Sequence, residues 1–92
     1  MMKIKFHSLF KKDLKRVRKR GYNIKLLDAV VQKLANEERL PAKNKDHALS
    51  GDYKGYRECH ITPDWLLIYT KKDSELILLL TRTGTHSDLF GK

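Results

Sequence analysis

Three histidines, His47, His60 and His86, fall in the second half of the chain together with Asp64, Trp65 and Arg82. A fourth, His7, stands near the N-terminus. Histidine has an ordinary pKa of about 6.5, so it can take or give a proton near neutrality. Arginine supplies a fixed, delocalised positive charge whose donors match phosphate oxygens. These residue types suit the cutting of RNA by its own 2′-hydroxyl. That reaction needs a base for the hydroxyl proton, an acid for the leaving 5′-oxygen and a cation for the charge gathering on phosphorus. Trp65 and Phe90 either stack on splayed bases or pack in the core. Three histidines and an aspartate also suit a metal ion. That reading ranks second, because no pair has the i,i+4 spacing of a compact helical site and Arg57 and Arg82 would repel a divalent cation.

Such a set works only if the chain brings it to one place. Lys3 to Phe6 is short and β-prone, and Ser8 offers a helix N-cap. A helix is expected from Leu9 to about Arg20, with Phe10, Leu14 and Val17 in one apolar stripe and Gly21 placed to end it. Asn23 can cap a second helix, where Leu27, Val30, Val31 and Leu34 recur at i, i+3, i+4 and i+7 up to about Asn36. The two make a helical hairpin. Arg39 to Gly51 shows no period and reads as a long loop, which holds His47. Strands follow at Tyr56 to Ile61, Trp65 to Thr70 and Glu75 to Thr83, joined by hairpin-length turns. The expected fold is one α+β domain over residues 1–92, ordered β-α-α-β-β-β. Its helical hairpin packs on one face of a mainly antiparallel sheet, and a short turn or helix starts at His86. On the first strand of the meander, Cys59 and Ile61 point one way and Tyr56, Glu58 and His60 the other. One face is apolar and the other ionisable, free to meet a ligand.

The 92 residues are 40% hydrophobic and 34% charged, which fits a small core under a heavily ionised surface. The longest apolar stretch, Leu76 to Leu80, is strand-sized, so membrane insertion is excluded. Met1-Met2-Lys3-Ile4-Lys5 has no apolar segment behind it, does not read as a secretory signal and points to the cytosol. One cysteine, Cys59, cannot form an intramolecular disulfide and reads as a small buried hydrophobe. The net charge of +9 is lopsided: Met1 to Lys45 holds 14 Lys/Arg and 4 Asp/Glu, a balance of +10, while Asp46 to Lys92 holds 6 and 7, a balance of −1. Lys11, Lys12, Lys15, Arg16, Arg18, Lys19 and Arg20 are interrupted by one acid, Asp13. Such a run attracts a polyanion, and nucleic acid is the natural one.

Four segments carry a resemblance. Asp46-His47-Ala48-Leu49-Ser50-Gly51, Lys54-Gly55-Tyr56-Arg57-Glu58-Cys59-His60, Pro63-Asp64-Trp65-Leu66-Leu67-Ile68-Tyr69, and Arg82-Thr83-Gly84-Thr85-His86 with Leu89-Phe90-Gly91 resemble the YafQ branch of the RelE/ParE toxin superfamily. The resemblance implies a RelE-like domain without a cofactor or metal, the toxin of a type II toxin–antitoxin pair. It implies an endoribonuclease that cuts messenger RNA in the ribosomal A site and is inhibited by a cognate acidic, DinJ-like antitoxin. His47, His60, Asp64, Arg82 and His86 then become the catalytic set, with Trp65 and Phe90 on the substrate and the basic first helix docking on ribosomal RNA. The alternatives are a non-catalytic ParE-like toxin that binds DNA gyrase and a basic RNA-binding module without toxicity.

Overall fold

The computed structural model describes residues 1–91. Strand β1 (Lys3–Phe6) leads into helices α1 (Ser8–Lys19) and α2 (Ile24–Ala35). Then come a short strand β2 (His47–Ala48), the meander β3 (Arg57–Thr62), β4 (Trp65–Lys72) and β5 (Ile77–Gly84), and a last helix α3 (His86–Phe90). The sheet order is β1-β5-β4-β3-β2, with β1 parallel to β5 and the other pairs antiparallel. The α+β fold with a mainly antiparallel sheet is the one expected.

Several local features differ from expectation. His7, not Ser8, caps α1: its ring nitrogen Nδ1 accepts the Leu9 N–H at 3.1 Å, which makes Ser8 the first helical residue. Asn23 caps α2 as expected, and Gly21 takes φ +82° after α1. The segment from Arg39 to Gly51 is not a free loop. It lies along β3 and adds β2 to the sheet, with His47 opposite Glu58 and Ala48 opposite Arg57. The buried Asn44 side chain fastens it further by donating to the His60 carbonyl at 2.7 Å. Strand β5 starts at Ile77 because Leu76 takes a left-handed φ of 54° and belongs to the turn.

The apolar stripes of α1 and α2 both land on one face of the sheet. Phe10, Val17, Leu27, Val31 and Leu34 meet Cys59, Trp65, Leu67, Tyr69, Leu78 and Leu80 in the main core. Each helix has its chief contact with the sheet, α1 on β5 and α2 on β3. The opposite face is not purely ionisable, as the alternation on β3 suggested. Leu66 and Ile68 are fully buried there beneath Leu89 of α3, with Leu49, Tyr53 and Tyr56 around them. Strand β4 is therefore covered on both sides, and every residue from Trp65 to Tyr69 is buried.

Strand β5 departs from a regular central strand in two ways. A bulge leaves Thr81 unpaired, because Ile68 faces Arg82 while Tyr69 faces Leu80. Plain alternation would point Arg82 the same way as Leu78 and Leu80, into the main core; the extra residue turns it to the α3 face. In addition, β1 covers β5 only as far as the Phe6–Leu80 pair. Beyond that point α1 closes the edge, where the buried Asp13 carboxylate accepts the Thr83 N–H at 3.1 Å.

Candidate active site

The register assembles the α3 face in two rows. One runs Arg82–Ile68–Glu58–His47 across β5, β4, β3 and β2; the other runs Gly84–Leu66–His60. Residues paired across strands share a face, so His47, His60 and Arg82 surround the apolar floor made by Leu66 and Ile68. Helix α3 brings the third imidazole: the His60 and His86 ring centroids are 5.9 Å apart, and His86 lies 6.1 Å from Phe90. Tyr53 meets Phe90 edge-on at 5.9 Å.

Glu58, which the sequence did not single out as a site residue, stands between two of the histidines. Its Oε1 is 3.5 Å from His47 Nε2 and 3.8 Å from His60 Nε2, and its side chain is 6% exposed. The other ring nitrogens face carbonyl oxygens, His47 Nδ1 with Lys45 at 2.6 Å and His60 Nδ1 with Pro63 at 3.2 Å. A carbonyl only accepts, so Nδ1 is the donor in both contacts, and Nε2 is the nitrogen turned toward Glu58. One buried carboxylate thus faces Nε2 of two imidazoles. The segment carrying His47 is held on its far side by Asp46, which accepts from the Tyr69 hydroxyl at 2.6 Å. Burial, with Asp46 adding to it, pushes the Tyr69 phenol well above its ordinary range, so this tie stays protonated.

Arg82 is tethered. Its Nε and Nη2 donate to the two oxygens of Asp13 at 2.7 and 3.2 Å, and this pairing raises its pKa further. His86, exposed, is the first residue of α3, and a reciprocal cap fixes that turn. Thr85 Oγ1 accepts the Asp88 N–H at 3.1 Å, and Asp88 Oδ2 accepts the Thr85 N–H at 2.9 Å. Arg20 reaches across from α1 to grip the same Asp88 at 2.6 and 2.9 Å, which holds that carboxyl well below the usual carboxylate range. Gly84 has φ +151°, and a Cβ there would meet Asp88 Oδ2 at 2.9 Å. Only glycine fits that approach.

Asp64 is exposed in the β3–β4 turn, one residue past the Pro63 carbonyl that holds His60. Phe90 is 36% exposed beside Tyr53 and His86. Trp65 is corrected to a core residue. It is 2% exposed on the helix face, its Nε1 donates to Thr83 Oγ1 at 2.8 Å, and Tyr22 packs against it edge-on. The ring also borders a cavity of about 180 Å³ with Tyr22, Asn23, Leu26 and Thr62. Cys59 is buried as expected, and burial pushes its thiol up to about 12. A concavity of about 360 Å³ opens on the far side of β3 and touches the histidine cluster only through His60, among Leu26, Lys43, Asn44 and Ile61.

Residues 2–91 match the family described as the bacterial toxin of type II toxin–antitoxin systems, YafQ. The chain belongs to the YafQ toxin family. It is 43% identical over 89 residues to the mRNA interferase toxin YafQ of Escherichia coli strain K12, covering 96% of this chain and 95% of that protein. A putative toxin YafQ of Haemophilus influenzae is 40% identical over 72 residues, 74% of this chain and 70% of that one. Among solved structures, a metal-bound toxin from Helicobacter pylori superposes with a TM-score of 0.92 at 49% identity, covering 98% of this chain and all, 100%, of that one. The toxin in the E. coli DinJ–YafQ complex gives 0.89 at 41% identity, covering 99% and 100%.

In this YafQ-family chain the basic residues of α1 divide into two groups. Lys11, Lys12, Lys15, Arg18 and Lys19 are exposed. Arg16 and Arg20, exposed as well, also reach into the α1–α3 contact, with Arg16 Nη1 3.7 Å from Asp88 and 3.9 Å from Asp13. Their side chains remain 45% and 39% exposed, so each carries an ion pair within the fold and still reaches the surface. Among the described residues no helix is long and apolar enough to cross a membrane.

Proposed function

We propose that this chain is an mRNA interferase that cuts messenger RNA in the ribosomal A site by attack of the 2′-hydroxyl on the adjacent phosphodiester. The observation that carries the reading is the pair of imidazoles, His60 and His86, with ring centroids 5.9 Å apart on the face to which the β5 bulge turns Arg82. A base and an acid must stand on either side of one phosphate, and two imidazoles at this spacing beside a guanidinium suit that geometry. His86, exposed and next to the His60 ring, is the general acid for the leaving 5′-oxygen. His60 is the general base, with Glu58 next to its Nε2 and His47 as the second proton-transfer partner through the same carboxylate. Asp64, the other candidate base, lies at the rim of the turn. Arg82 meets the charge gathering on phosphorus, and Phe90 stacks on a base next to the cut. The free lysines of α1 dock on ribosomal RNA. The inhibiting partner is a DinJ-like acidic antitoxin, in line with the E. coli complex, and the toxin acts in the cytoplasm.

The test is a purified translation system programmed with a defined messenger. Cleavage that needs ribosomes and maps to the A-site codon supports the reading. Intact messenger with growth arrest relieved by a gyrase-directed suppressor would favour the ParE-like alternative. Because a structural neighbour is a metal-bound toxin, cleavage is also measured after chelation. Undiminished turnover supports acid–base chemistry by side chains alone.

A further inference from the structure

Asp13 is an unusual acid. It is the one carboxylate in α1, the basic residues around it are exposed, and it is 2% exposed itself. Tying α1 to the open edge of β5 would need only an acceptor for the Thr83 N–H, which a neutral side chain supplies. Asp13 does more than that. Oδ2 accepts from both Thr83 N–H and Arg82 Nε, and Oδ1 accepts from Arg82 Nη2. Nε and Nη2 form the side edge of the guanidinium fork. With that edge occupied, Nη1 and the outer hydrogen of Nη2 are left on the end edge.

We propose that Asp13 is a positioning residue of the cleavage site, its carboxylate clamping the side edge of Arg82 so that the end edge is presented to the phosphate. The proposal rests on the reading of Arg82 as the phosphate-binding cation. A long arginine next to a bulge has many rotamers, and a bidentate clamp leaves one. The clamp also offsets part of the arginine's charge before substrate arrives. It therefore favours orientation over ground-state attraction, and its loss falls on turnover more than on binding.

The experiment is single-turnover messenger cleavage by the full chain in the ribosomal system, with thermal melting of each variant alongside. Asp13→Asn keeps the shape and an acceptor for Thr83 but removes the charge. It should lower the cleavage rate about tenfold or more while the half-saturating concentration is unchanged or lower. Arg82→Gln should abolish most activity, and the double variant should be no slower than Arg82→Gln alone. Wild-type turnover in Asp13→Asn, or a further loss on adding it to Arg82→Gln, overturns the proposal. Full activity in Arg82→Gln instead overturns the reading of the site on which it rests. If Asp13→Asn does not fold, 15N NMR of the wild-type chain decides. On adding an uncleavable 2′-deoxy oligonucleotide, the Arg82 Nη signals should move while Nε–H stays protected from solvent exchange. A freely exchanging Nε–H overturns the clamp.

Discussion

The two faces of β4 are built from neighbouring residues of equal burial and do opposite work. Trp65, Leu67 and Tyr69 enter a broad core between sheet and helices, where the polar atoms of the aromatics are paired within the fold, Trp65 with Thr83 and Tyr69 with Asp46. Leu66 and Ile68 enter a small apolar floor ringed by His47, Glu58, His60, Arg82 and His86. The first face holds the fold together, and the second keeps ionisable groups close over a water-poor base. Local burial does not separate a structural face from the one proposed to be reactive. What separates them is the kind of group at the margin, aromatic donors on one face and imidazoles, a carboxylate and a guanidinium on the other.

His86→Ala breaks the reactive face most directly: cleavage should fall by about 10²- to 10⁴-fold, the usual worth of a general acid. The melting temperature should stay near that of wild type, because the ring is exposed. Wild-type cleavage by that variant would remove His86 from its role. Trp65→Ala probes the other face and should cost about 3–5 kcal/mol of stability, read by chemical denaturation. Trp65→Phe, which loses the bond to Thr83 but keeps an aromatic in place, should still cleave. Loss of cleavage in a fully folded Trp65→Phe would return the tryptophan to the substrate. A third comparison lies along α1. Each of Lys11, Lys12, Lys15 and Lys19 changed to Gln should lower the log–log salt slope of ribosome binding by about one unit or less. Arg20→Gln should chiefly lower stability. An unchanged slope in the quadruple lysine variant would remove α1 from docking.

The smallest expected effect is on acid stability. Arg20 holds the Asp88 carboxyl below its unfolded value. That ion pair contributes stability above the ordinary carboxylate range, lost as pH falls through the depressed folded value. Wild type should keep this increment at about pH 4 and lose it in stronger acid, and Asp88→Asn should lack the step. An identical acid limb in both proteins would show that Arg20 and Asp88 are not paired in solution.

Periodicity was enough to place α1, α2 and the meander, because their apolar residues recur at 3.6 or 2 and their ends carry Gly21 and Asn23. It could not sort β4, whose run from Trp65 to Tyr69 is apolar on both faces and so carries no phase. Nor could it place Arg82. Two residues past Leu80, its parity says core, and only the bulge at Thr81 reverses that. Glu58 shares a face with His60 by simple alternation, but its second neighbour, His47, comes from a segment with no period. Asp13 looked like a stray acid in a basic run; its burial depends on β1 ending at Phe6 and leaving an edge for α1 to close. The imidazoles and the guanidinium were legible as types. The carboxylates that hold them were not, because they act at long range.

That long range has a consequence in time. Strand β1 finds its partner only in β5, Asp13 bonds residues 69 and 70 positions later, and Arg20 bonds one 68 positions later. Nearly the whole chain must have left the ribosome before any of these contacts can close. A half-synthesised copy lacks both the last strand and the helix bearing the third imidazole. If the chain cuts messenger on ribosomes as proposed, it gains that capacity only when its own synthesis is all but complete.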